Sequence, residues 1–298
     1  MRLYLAAVAA VIALMASTSP CAALVVTMSS PKSSFAQGEP IYVWVDYYND
    51  KDEALGLPAG YLFGFDVLKV RNQTGETVVR PMEQVKRPPP RGNQIQQIGP
   101  REHFVFFANL LDHVNLTEPG SYDVQIVAQN RSPERYLDKA HPSLPPSKLV
   151  RGPVESNHWQ FTIERGSGDA FELVNQPLRE KTAGTFALCP NANLIVERYS
   201  DSPYGPYAVS CEIDRLLRTD PQGEEPIANR LAAAQALMTG LRTTRPGFEY
   251  LDVAMIRYAT RLAEVGEKES ATNMLRELER GEQHDAGRLY VQRLLSTR

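Results

Sequence analysis

Apolar residues recur with a period of two as far as Glu164 and with a period near 3.6 beyond Asp169. A strand points alternate side chains to opposite faces, whereas a helix returns to one face every three or four residues. The switch therefore splits the chain into a β portion at 24–165 and an α portion at 170–298. Gly166-Ser167-Gly168-Asp169 sits at the switch and is read as the linker 166–169.

The β portion opens with a short strand at 24–28. After the turn cluster Gly38-Glu39-Pro40, Ile41, Val43, Val45 and Tyr47 alternate with Tyr42, Trp44, Asp46 and Tyr48, a strand pattern of β-branched and aromatic residues. Further strands are expected at 61–70, 76–80, 103–111, 122–128 and 158–164. In the last of these, Trp159, Phe161 and Ile163 alternate with Gln160, Thr162 and Glu164. About seven strands without an intervening helix predict an antiparallel β-sandwich. Pro119-Gly120-Ser121-Tyr122 leads straight into a strand, so the Tyr122 hydroxyl is placed to reach upstream backbone, as in a tyrosine corner. On the Gly-Glu-Pro strand start and the Pro-Gly-x-Tyr strand start, this portion resembles bacterial Ig-like domains, including the proteinase-inhibitor type. The resemblance implies a fold, not a partner.

Two segments without a strand pattern interrupt this portion. Residues 86–100 carry Pro88-Pro89-Pro90, and residues 130–156 carry five prolines. Such lengths mark either binding loops or solvated excursions with polyproline character. As binding loops they would offer Arg87, Arg91, Arg101, Arg131 and Arg135 to a partner.

Beyond the linker, helices are expected from about 190 to 198, from 203 to 217 with Ser202 as N-cap and Pro203 at the first helical position, and at 225–241, 248–265, 267–279 and 284–295. Tyr204-Gly205-Pro206-Tyr207-Ala208 is echoed by Tyr250-Leu251-Asp252-Val253-Ala254, 46 residues later. Helix-pair repeats produce such echoes. The pattern is similar to tetratricopeptide (TPR-like) repeats, with a generic helical bundle as the alternative.

Arg2, an apolar run of about 14 residues and the small-residue exit Cys21-Ala22-Ala23 have the three zones of a secretory signal peptide at 1–23. The run is short of the roughly 20 residues of a spanning helix; an uncleaved anchor is the alternative. No later segment is apolar enough to span a membrane, so the expected product is secreted into the periplasm or beyond the cell. Its formal charge of −3 gives no reason to expect nucleic acid as a partner.

Removal of the signal peptide discards Cys21 and leaves Cys189 and Cys211. If two antiparallel helices turn near Asp201, these residues lie about 18 Å and about 15 Å from the turn, at nearly one level. An oxidising compartment then allows a disulfide worth on the order of 3 kcal/mol; two buried free thiols are the alternative.

Catalytic patterns are sparse. None of His103, His113, His141, His158 and His284 belongs to a close ligand motif, and solvated or capping roles are expected. Asp50-Lys51-Asp52-Glu53 and Glu224-Glu225 are expected to be solvated, with the first a weak calcium candidate at most. No catalytic residue, metal or cofactor is assigned. The expected function is an exported, non-enzymatic interaction or scaffold protein that binds another protein in the cell envelope or outside the cell. A protease inhibitor acting through 86–100 is the first alternative, and a hydrolase with an interdomain site the second.

Overall fold

The computed structural model describes residues 24–58, 68–75, 95–112, 114, 116–128, 150, 154–179, 189–218, 226–281 and 284–296. The proposed signal peptide, the strand expected at 76–80, Arg87, Arg91, Arg131, Arg135, His113, His141 and Glu224-Glu225 lie outside them.

The β portion contains β1 (Leu24–Ser29), β2 (Ser34–Ala36), β3 (Tyr42–Asn49), β4 (Leu55–Pro58), β5 (Leu68–Asn72), β6 (Ile95–Ile98), β7 (His103–Asn109), β8 (Gly120–Ala128), β9 (Val154–Glu155) and β10 (Trp159–Glu164). One sheet has the order β1-β3-β7, and another the order β2-β10-β8-β5 with β9 beside β8. Strands expected from alternation at 24–28, 41–48, 103–111, 122–128 and 158–164 are present. Of the strand expected at 61–70, the described part is β5.

Three expectations are corrected. The segment 86–100 is not all loop, because β6 pairs antiparallel with β4. In 130–156, Val154 and Glu155 pair with β8, and the Val150 amide donates to the Gly56 carbonyl at 3.0 Å. The portion is not purely antiparallel, since β2 runs parallel to β10. That pairing joins residues about 128 apart in sequence, which alternation cannot reveal.

The Tyr122 hydroxyl donates to the Glu118 carbonyl at 2.6 Å, the upstream bond expected from the Pro-Gly turn. Gly120 makes the turn at φ 151, a backbone conformation that a side chain would strain. Inside, Phe35 meets Trp159 and Phe161 edge-on, and Tyr122 stacks on Phe161.

Asn49 ends β3 and is fully buried. Its amide donates to the carbonyls of Glu53, Ile98 and Gly99, and its oxygen accepts from the Lys51 amide. This side chain replaces the ladder where β3–β7 gives way to β4–β6. Asn49→Ala would leave these backbone groups without their partner, and urea titration is expected to show a loss of about 2–4 kcal/mol.

The α portion contains α1 (Asp169–Arg179), α2 (Ala192–Arg198), α3 (Gly205–Leu217), α4 (Ile227–Thr244), α5 (Leu251–Glu264), α6 (Lys268–Arg280) and α7 (Asp285–Ser296), with a 3-10 turn at Cys189–Asn191. None is long and apolar enough to cross a membrane. The expected start at Ser202-Pro203 is corrected: α3 begins at Gly205 with Tyr204 as N-cap and Pro206 in the first turn. Ser202 instead donates its hydroxyl to the Tyr199 carbonyl at 2.7 Å. Gly205 lies so close to the Ser200 carbonyl that a Cβ would collide with backbone. Cys189 and Cys211 are joined, with S–S 2.01 Å and Cα–Cα 5.4 Å, tying the turn before α2 to α3. Titration of the unreduced protein from residue 24 onward is expected to find no free thiol.

The two portions share one continuous set of buried side chains. In β3, Tyr42, Val43, Trp44 and Val45 are all buried. A strand hidden on both faces loses the inside–outside alternation of a half-exposed one. Here its second face is covered by helices.

Candidate functional site

The covering helices are α3, α5 and α7. Each meets the β3–β7 surface through a tyrosine. Tyr207 on α3 and Tyr250 at the N-cap of α5 pack on Tyr42, with ring centroids 6.1 Å and 5.4 Å away. Tyr290 on α7 lies 5.7 Å from both Trp44 and Phe107. Of the echoed tyrosines Tyr204 and Tyr250, the second thus addresses the protein's own sheet.

Polar bonds fix the same junction. Glu39 is 2% exposed, and its carboxylate accepts from Lys32 Nζ at 2.5 Å, the Tyr207 hydroxyl at 2.6 Å and the Ala36 amide at 2.7 Å. Tyr204 donates to the Gln37 carbonyl at 2.8 Å. Burial, with Glu39 nearby, pushes the Tyr204 phenol up to about 12 and holds those of Tyr207 and Tyr250 well above the usual tyrosine range. The Tyr250 hydroxyl donates to the Tyr42 carbonyl at 3.2 Å and is 2.7 Å from Ser30 Oγ. Arg257 pairs with buried Asp214 and donates to the Tyr42 hydroxyl at 3.0 Å. These phenols stay protonated near neutral pH and act as donors that hold the two portions together.

Helices α4 and α6 leave a different surface open. A groove of about 600 Å³ runs between them over α5. Leu231, Met238, Leu262 and Met274 give it apolar contact, and Gln235 and Asn273 present amides. Arg242 and Glu277 pair across one end. Such a lining can take up apolar side chains while its amides bond to a peptide backbone.

Another cleft, of about 370 Å³, is lined by Arg242, Glu249, Asp252, Glu277 and His284. The junction cleft of about 470 Å³ is lined by Lys32, Glu39, Asp201, Arg245 and Glu249 among its ionisable groups, without a histidine. Glu39 is already committed there, and Arg245 bonds to Asp201 at 2.7 Å. No group of three or more His, Cys, Asp or Glu suited to a metal ion occurs among the described residues.

The sequence-assigned residues fall as follows. Cys189 and Cys211 come together. Arg101 is exposed and pairs within its own chain, with Asp50 at 2.5 Å and Asp52 at 3.0 Å, and adopts a left-handed φ of 57. Its guanidinium sits between these two carboxylates. His103 and His158 are exposed, as a solvated role expects, and each also lies beside a carboxylate on a neighbouring strand, Asp46 at 2.8 Å and Asp123 at 2.7 Å. Burial raises the Asp46 carboxyl, with His103 opposing, whereas the His158 hydrogen bond lowers that of Asp123. Burial lowers the His284 imidazole at the start of α7. Glu39, Asn49 and the groove on α4 and α6 were missed, because none has a local motif.

Burial pushes the Asp252 carboxyl in the first turn of α5 up to about 6, although the Val253 amide opposes the shift. The folded state then holds this proton more tightly than the unfolded state. The associated stability is present below about 4 and is lost as pH rises to about 6. Asp252→Asn is expected to remove that decline and to stabilise the protein at pH 7 by about 1–2 kcal/mol, after the lost helix-terminal charge is allowed for. Urea unfolding across this pH range measures both effects.

No protein-family model and no curated protein matches the chain. What the fold and surface define is a β-rich portion with a helical portion packed on it and a mixed groove on the helices.

Proposed function

We propose that this is an exported, non-catalytic binding protein that takes up a segment of another envelope or extracellular protein in the α4–α6 groove. The observation that carries this reading is the division of labour among the helices. Helices α3, α5 and α7 contact the protein's own sheet, and the groove between α4 and α6 combines apolar side chains with amides. The finer reading of the fold is an Ig-like sandwich followed by TPR-like helix pairs. The Tyr122–Glu118 bond and the echoed tyrosines support it. The three-zoned N-terminus and the joined cysteines support export into an oxidising compartment.

The test places a photo-crosslinking residue at Gln235 or Asn273 and irradiates the protein in its exported fraction. A discrete protein adduct is expected, lost on Leu231→Asp or Met274→Asp substitution while the circular dichroism stays unchanged. No adduct, or one indifferent to both substitutions, would count against the groove.

A further inference from the structure

Among the described residues, strand β7 ends the β1-β3-β7 sheet. The Glu102 carbonyl accepts from the Asn49 amide and the Leu110 amide donates to the Ile41 carbonyl, so even-numbered residues here turn their backbone toward β3. Alternation sends the N–H and C=O groups of His103, Val105 and Phe107 to the opposite edge. An edge of this kind is a template for another strand. The β7 segment His103-Phe104-Val105-Phe106-Phe107-Ala108-Asn109 makes a strong template, with no Lys, Arg, Asp, Glu, Gly or Pro.

Helix α7 reaches this edge. Arg293 donates to the Val105 carbonyl at 3.1 Å, and its guanidinium lies 3.7 Å from the centre of the Phe104 ring. Tyr290 anchors the same helix on Trp44 and Phe107, and Val291 is fully buried beneath it. The charge that β7 lacks is thus supplied by another element, at an outward-facing carbonyl.

We propose that α7 is a strap that keeps β7 from pairing with the β7 of a second copy of this chain. Two such strands laid antiparallel about Val105 are related by a two-fold axis, so each supplies the groups the other needs, and the interface closes as a dimer. Displacing α7 would convert a covered edge into a self-pairing one. The α4–α6 groove plays no part in this contact, so strap and groove stand or fall separately.

The experiment uses the full chain. Tyr290→Ala/Arg293→Ala loosens the strap, and the same pair with Val105→Pro removes an outward N–H without touching the β3 ladder. Light-scattering mass over a wide concentration range should show the double variant dimerising about tenfold or more tightly than the parent, the scale of a lost charged hydrogen bond. Val105→Pro should return it to the parent's behaviour. Arg293→Met keeps the packing of the stem and should move dimerisation in the same direction should the double variant fail to fold. Unchanged mass in a folded variant, or a dimer that survives Val105→Pro, would overturn the proposal.

Discussion

Trp44→Ala is expected to lower the free energy of unfolding by about 3–5 kcal/mol, as for other buried aromatic truncations. Trp44 is 1% exposed and makes ring contacts with Phe107 at 5.4 Å and Tyr290 at 5.7 Å. The substitution opens a cavity between strand and helix rather than within either portion. Its effect should therefore reach both the β signal and the helical signal in denaturant titration. A loss confined to the β signal would mean that α7 gains nothing from this contact.

The second large effect is expected at Glu39. Three donors converge on its two oxygens, from Lys32, Tyr207 and the Ala36 amide. Glu39→Ala leaves a buried phenol and a backbone amide unsatisfied and takes the counter-charge from Lys32, for a loss of about 3 kcal/mol or more. Glu39→Gln should rescue little, because the new amide turns a donor toward groups that are themselves donors. Thermal unfolding of the two variants tests this directly. Full stability of Glu39→Gln would show that charge and acceptor number are unimportant there.

Local features of the fold were legible where the signal lies within a few residues. Alternation in 41–48 located β3, and the Pro-Gly turn before Tyr122 placed its hydroxyl. Cys189 and Cys211 were readable because both flank a single helical turn near Asp201. The packing of the two portions was harder to read, although Tyr42, Val43, Trp44 and Val45 form an unbroken apolar run that a strand with one wet face does not need. That run is the trace of the helical cover. Glu39 looked like part of a surface turn, because its partner Tyr207 lies 168 residues away. Arg101 resembled a loop charge for the same reason: its partners Asp50 and Asp52 meet it only when β3 and β7 pair. The groove on α4 and α6 is shaped by helices that no short motif marks.

Urea unfolding followed at once by tryptophan fluorescence and far-ultraviolet circular dichroism tests most directly whether the two portions form one unit. The only two tryptophans, Trp44 and Trp159, both belong to the β portion, whereas the helical signal comes from α1 to α7. Coincident transitions with one midpoint are expected, because the tyrosines of α3, α5 and α7 share the buried set of β3. Two separated transitions, with the helices melting while tryptophan fluorescence stays native, would contradict this account.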